Sequence, residues 1–142
     1  MLKDMLEDLF AQQDLLNARF GRSQATVLTL SDEERLQIVR NFAEAQLIES
    51  GEVLKAAQGR WWKKEKDWLG WDHLKEEIID EVHFLVSKFM AAGGTPREFY
   101  DIYTKKNQFN HKRPDWKINE NKDSSHHPSG SEVEKGDGRS LS

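Results

Sequence analysis

SDEERLQIVRNFAEAQLIESGEVLKAAQG, residues 31–59, is the stretch that decides the fold. Ser31 followed three positions later by Glu34 is a capping box, in which the serine hydroxyl accepts from the first helical turn and the glutamate reaches back to the Ser31 N–H. A long helix opens there and is expected to run to near Gly59. At about 100° per residue, Ile38, Phe42, Ala45, Val53 and Ala56 share one stripe. Glu49 falls inside that stripe, and Glu52 sits beside it. An ionised carboxylate facing a core is strongly destabilising unless something compensates its charge.

Further along the chain, Leu74, Ile78, Val82, Leu85 and Phe89 mark an apolar stripe on another helix, expected to stop at Gly93-Gly94. Glu77 and Asp80 flank it, and Phe84 shares their side, whereas Glu76 is turned away by about 100°. Spacing alone suits a solvated face. If the two helices pack antiparallel, however, Glu49, Glu52, Glu77 and Asp80 converge. Four hard oxygen ligands suit Mg²⁺ or Mn²⁺, with substrate phosphates completing the shell. A buried basic side chain would be the competing partner, but neither stripe holds one deep inside; Lys88 lies near an edge.

Back toward the start, Leu2, Met5, Leu6, Leu9, Leu16 and Phe20 recur at helical spacing, and Gly21 offers a stop. Gln13 occupies the next apolar position of that stripe, and Asn17 lies one turn on. Buried amides need partners: either backbone groups or the edge of a bound base. Residues 21–30 carry no helical period, so Val27-Leu28-Thr29-Leu30 is either extended or tucked into the core. Thr95-Pro96-Arg97-Glu98 combines an N-cap, a proline at the first helical position and a glutamate at the third, which starts a last helix that Pro114 closes. Lys106, Asn107, Asn110 and Arg113 then line up on one side, where basic and amide groups suit a triphosphate. In the loop from Arg60 to Trp71, Trp61-Trp62-Lys63-Lys64 joins aromatic faces to ammonium groups, suited to a base and a phosphate or to plugging a core.

A chain of 142 residues has room for one core. The expected fold is all-α, a four-to-five-helix bundle over residues 1–114, followed by a flexible tail, 115–142, too polar to offset its ordering entropy. His126-His127 in that tail reads as incidental. With 32% charged residues and a net charge of -4, the surface is not built to neutralise a nucleic acid polymer. No stretch approaches a membrane span, and Met1-Leu2-Lys3-Asp4-Met5 is unlike a signal peptide, so a cytoplasmic protein is expected. The absence of cysteine excludes disulfides, thiolate ligands and cysteine nucleophiles. So small a bundle leaves a face exposed, which favours self-association.

Glu49-Ser-Gly-Glu52 with Glu77-Ile-Ile-Asp80, joined to Gln12-Gln13-Asp14-Leu15-Leu16-Asn17, Trp62-Lys63, Asp80-Glu-Val-His83-Phe84 and Lys106-Asn107-Gln-Phe-Asn110-His-Lys-Arg113, resembles the all-α dUTPases of the dimeric type. These belong to the MazG-like nucleotide pyrophosphohydrolases, and the likeness runs over most of residues 9–113. The resemblance implies a homodimer that hydrolyses dUTP to dUMP and pyrophosphate, with dUDP or dCTP as alternative substrates. It implies that Glu49, Glu52, Glu77 and Asp80 bind Mg²⁺, with Glu49 and Glu52 in the catalytic step and Glu52 set to orient or deprotonate the attacking water. Gln13 and Asn17 would lie near the uracil, Trp62 against the base, and His83 and Phe84 beside base and sugar. Lys63, Lys106, Asn107 and Arg113 would hold phosphates, and Asn110 would bind substrate beside them. A satisfied interface histidine remains the alternative for His83. The chain departs from the family pattern after Arg113, reading Pro114-Asp115-Trp116 where glutamine and a glycine-tyrosine pair are usual. Its compact form resembles a phage or bacterial version. A phage-type dCTP pyrophosphatase, or an enzyme acting on both nucleotides, is the nearest rival, because a glutamine amide can serve either base. A non-catalytic helical interaction protein is the rival of a different class.

Overall fold

The computed structural model describes residues 4–64 and 68–115, and all regular structure among them is helical: α1 (Met5–Ala18), α2 (Gln24–Val27), α3 (Asp32–Ala56), α4 (Trp71–Ala91) and α5 (Pro96–His111). The expected tail lies, from residue 116 onward, outside the described residues. No described helix is long and apolar enough to cross a membrane.

The caps read from the sequence form. Ser31 and Glu34 complete a capping box on α3, and Thr95 and Glu98 complete one on α5, with Pro96 in its first turn. The stretch 21–30 is not extended: Ser23 caps the short α2, and Val27 is buried. α3 ends at Ala56, short of Gly59, with Gln58 taking a left-handed φ of 57° and Gly59 N–H donating to Leu54 O. Gly93, with φ 92°, turns the chain out of α4, and Gly94 then lies so close to the Phe89 ring that a Cβ there would collide with it.

α3 and α4 form the main helix pair and run antiparallel, since Arg35 meets Ala91, Phe42 meets Phe84 and Ser50 meets Glu81. All the stripe positions of α3 named above are partly buried, Glu49 included. The carbonyls at the end of α4 are satisfied from outside. Gln24 Nε2 donates to Met90 O and Gly94 O, and Arg35 donates to Ala91 O.

The core is small and aromatic. Phe10, Val86 and Met90 are buried, with Leu6, Val82, Phe89 and Phe99 packed against them. Phe10, Phe89 and Phe99 meet edge-on, with centroids 5.1–6.2 Å apart. This corrects two stripes. α1 buries Phe10, Gln13 and Asn17, while Leu9, Leu16 and Phe20 are exposed, because the face of Phe10 and not that of Leu9 meets α4. On α4 the buried positions are Val86, Ser87, Met90 and Ala91, and Ile78 and Leu85 face outward.

Candidate active site

A cleft of about 590 Å³ opens between α1, α3 and α4 and takes in the residue that follows Gly21. Leu16, Phe20, Phe42 and Phe84 supply its apolar wall; Gln13, Asn17, Arg22 and His83 supply polar groups; Glu49 and Asp80 stand at one side. The Phe42 and Phe84 rings tilt against each other across the helix pair, 6.3 Å between centroids.

Antiparallel packing brings Glu49 of α3 opposite Glu77 and Asp80 of α4. One carboxylate oxygen of each lies within 4.8 Å of the others. Burial, and then repulsion from Asp80, Glu77, Glu52 and Glu81, hold the Glu49 carboxyl above the usual carboxylate range. His73 Nε2 approaches Glu77 at 3.3 Å, and no ion pair serves Glu49 or Asp80 among the described residues. Crowded, uncompensated oxygen donors of this kind fit a hard divalent cation.

The fourth expected acid stands apart. Glu52 is outside the three-carboxylate group because its side chain is half exposed and pairs with Lys55 one turn along, at 4.0 Å. Glu81, which follows Asp80 on α4, accepts a hydrogen bond from Ser50 and so ties α3 to α4 beside the acids.

Gln13 and Asn17 are buried on the Phe10 side of α1 and belong to a closed ring of hydrogen bonds. Gln13 Nε2 donates to Asn17 Oδ1 (3.0 Å), Asn17 Nδ2 to Ser87 Oγ (3.0 Å), and Ser87 Oγ to the His83 carbonyl (2.7 Å). His83 Nδ1 lies 2.7 Å from Gln13 Oε1 and closes the ring. The carbonyl sets the direction of the network. Because it can only accept, Ser87 donates to it; each amide is oriented in turn, and the proton of His83 is assigned to Nδ1, leaving Nε2 as a lone pair when the ring is neutral.

Arg22 was not read as a site residue, and no sequence signal marks it beyond its place after a glycine. Gly21 adopts a left-handed φ of 68°, with Arg22 N–H donating to Asn17 O and Gly21 N–H to Ala18 O. This Schellman turn directs Phe20 and Arg22 to the cleft. The guanidinium carbon sits 5.8 Å from the centroid of the Phe42 ring.

The remaining expected residues do not line the cleft. Trp62 and Lys63 are exposed in the loop after α3, where the Trp61 and Trp62 rings meet edge-on. Lys106, Asn107 and Asn110 lie on the last turns of α5, whose contacts within the bundle run through Phe99 near its start, and Arg113 pairs with Asp115. No single-helix spacing could tell which way α5 carries them.

A family model described as dUTPase matches residues 5–101, well over half of the chain and the whole of the cleft, though not the run from Lys106 to Arg113. No curated protein and no solved structure matches it. Helices without strands, a cleft at the central antiparallel pair and this match agree: the chain belongs to the all-α dUTPase family.

Proposed function

We propose that this chain hydrolyses dUTP to dUMP and pyrophosphate with the help of a divalent cation, Mg²⁺ or Mn²⁺, held by Glu49, Glu77 and Asp80. The observation that carries the reading is the group of three carboxylate oxygens within 4.8 Å of one another at the side of an aromatic cleft large enough for a nucleoside. Family membership supports pyrophosphohydrolysis of a nucleotide.

When bound, the cation supplies Lewis acidity that activates water and offsets charge on the phosphates. The chain's own side chains do the rest. Glu52, half exposed and one turn from Glu49, takes the proton of the attacking water once it leaves Lys55. Phe84, against Phe42, packs on the sugar, where an added ribose hydroxyl meets carbon instead of a partner. Gln13, Asn17 and His83 each keep hydrogen-bonding capacity beyond their ring and face the base. Trp62, Lys63, Lys106, Asn107, Asn110 and Arg113 serve base and phosphates when their segments are brought over the cleft. A second copy of the chain is the natural source of that closure, since Leu47, Ile48 and Leu54 of α3 and Ile78, Ile79 and Leu85 of α4 all lie exposed.

Thermal melts with Mg²⁺ and a non-hydrolysable dUTP analogue test the reading. A ligand at 100 times its Kd stabilises the folded state by about 2.7 kcal/mol. The midpoint is expected to rise when both are present; an unchanged midpoint in wild type contradicts the proposal.

A further inference from the structure

The cleft has two chemically different ends. Glu49 and Asp80 mark one. Arg22 marks the other, stacked over Phe42, which lies seven residues before Glu49 on α3 and therefore about 10 Å from it along the helix axis.

Arg22 Nη1 is cut off from solvent and has no hydrogen-bond partner. A buried donor left unmade is destabilising, and a turn of the guanidinium into the cleft that Arg22 lines would give it a partner on a bound ligand. Gln46 Oε1 is unpartnered as well, but Gln46 does not line the cleft, whereas Arg22 does. None of the hydrogen bonds in the ring of Gln13, Asn17, Ser87 and His83 reaches the guanidinium. The Phe42 ring lies under the guanidinium, its centroid 5.8 Å from the guanidinium carbon, and favours the charge at this end of the cleft.

We propose that Arg22 reads the nucleobase and makes the cleft select a 4-keto pyrimidine, uracil or thymine, over cytosine. The inference rests on the cleft being a nucleotide site with its phosphates at the carboxylates. A pyrimidine placed that way points its O2 back toward the sugar and its position-4 substituent to the far end, where Arg22 waits. Guanidinium is always charged and donates only. It satisfies the O4 carbonyl of uracil and opposes the amino group of cytosine, leaving two donors face to face. A glutamine at this place could flip to serve either base; an arginine cannot.

The test is the ratio of kcat/KM for dUTP to that for dCTP, measured with Mg²⁺ in wild type, Arg22→Gln, Arg22→Leu and Arg22→Lys. Wild type is expected to favour dUTP, and Arg22→Gln and Arg22→Leu to reduce the ratio roughly ten- to hundredfold, the span of one well-made base contact. The dTTP rate is expected to fall with that of dUTP. Arg22→Lys, still a donor only, keeps the preference for dUTP and remains informative if Arg22→Leu fails to fold. A parallel fall for dUTP and dCTP, or an unchanged ratio in Arg22→Gln and Arg22→Leu, overturns the assignment while leaving the hydrolytic reading standing. Wild type that releases no pyrophosphate from any of the three nucleotides overturns the hydrolytic reading itself.

Discussion

Glu49 of α3 and Asp80 of α4 hold carboxylate oxygens within 4.8 Å of each other, on helices that approach from opposite directions. Two like charges so placed repel, and after burial Asp80 is the largest influence raising the Glu49 carboxyl. The arrangement weakens the fold at neutral pH, and a cation between the acids would offset that repulsion.

The pH dependence follows from the direction of that shift. An acid whose folded pKa is raised binds more protons folded than unfolded between the two values, so stability falls as pH rises through that interval, starting near the ordinary value of 4.5. The penalty is complete above the folded pKa and absent below about pH 4. Metal-free Glu49→Gln is therefore expected to melt higher than metal-free wild type at neutral pH, with the difference vanishing in acid. Melting curves in chelator across that range check it, and a variant that melts lower at neutral pH contradicts the crowding argument.

Ser87 holds the hydrogen-bonded ring against α4, and it is almost fully buried. Ser87→Ala leaves Asn17 Nδ2 without its acceptor inside the protein, which costs about 1–3 kcal/mol. Denaturant unfolding of the two proteins should show a lower midpoint at unchanged slope. A loss below about 0.5 kcal/mol, the range of ordinary surface substitutions, would mean the ring carries little strength.

Two phenylalanines separate core from surface. Phe10 lies at the centre of the aromatic trio, whereas Phe109 on α5 is 67% exposed. Phe10→Ala is expected to cost about 3–5 kcal/mol. Phe109→Ala should stay within about 0.5 kcal/mol at concentrations where the chain is monomeric. Equal losses in chemical denaturation would mean that α5 packs in a way its exposure does not reveal.

How much of this was legible in the sequence depended on the range of the signal. Caps are local, so the starts of α3 and α5 could be read from Ser31, Glu34, Thr95 and Glu98. The wheel of α3 put Glu49 among apolar residues, and two such helices, once antiparallel, bring Glu49 to Glu77 and Asp80. The face of α1 was misread, because a row of leucines there borders an open cleft while Phe10 and two amides take the buried side. Glu52 stands outside the group of three carboxylates, and spacing along one helix cannot register its pairing to Lys55. Arg22 was invisible for a deeper reason: its position depends on the left-handed turn at Gly21 and on Phe42 arriving from another helix.

The most direct measurement is pyrophosphate release from dUTP by wild type, Glu49→Gln and Asp80→Asn, with Mg²⁺ and with chelator, alongside circular dichroism to establish that the helices are kept. Wild type is expected to release pyrophosphate only with the metal, and each variant to lose the activity while remaining helical. Turnover close to wild type in either folded variant, or undiminished turnover in chelator, would contradict the account.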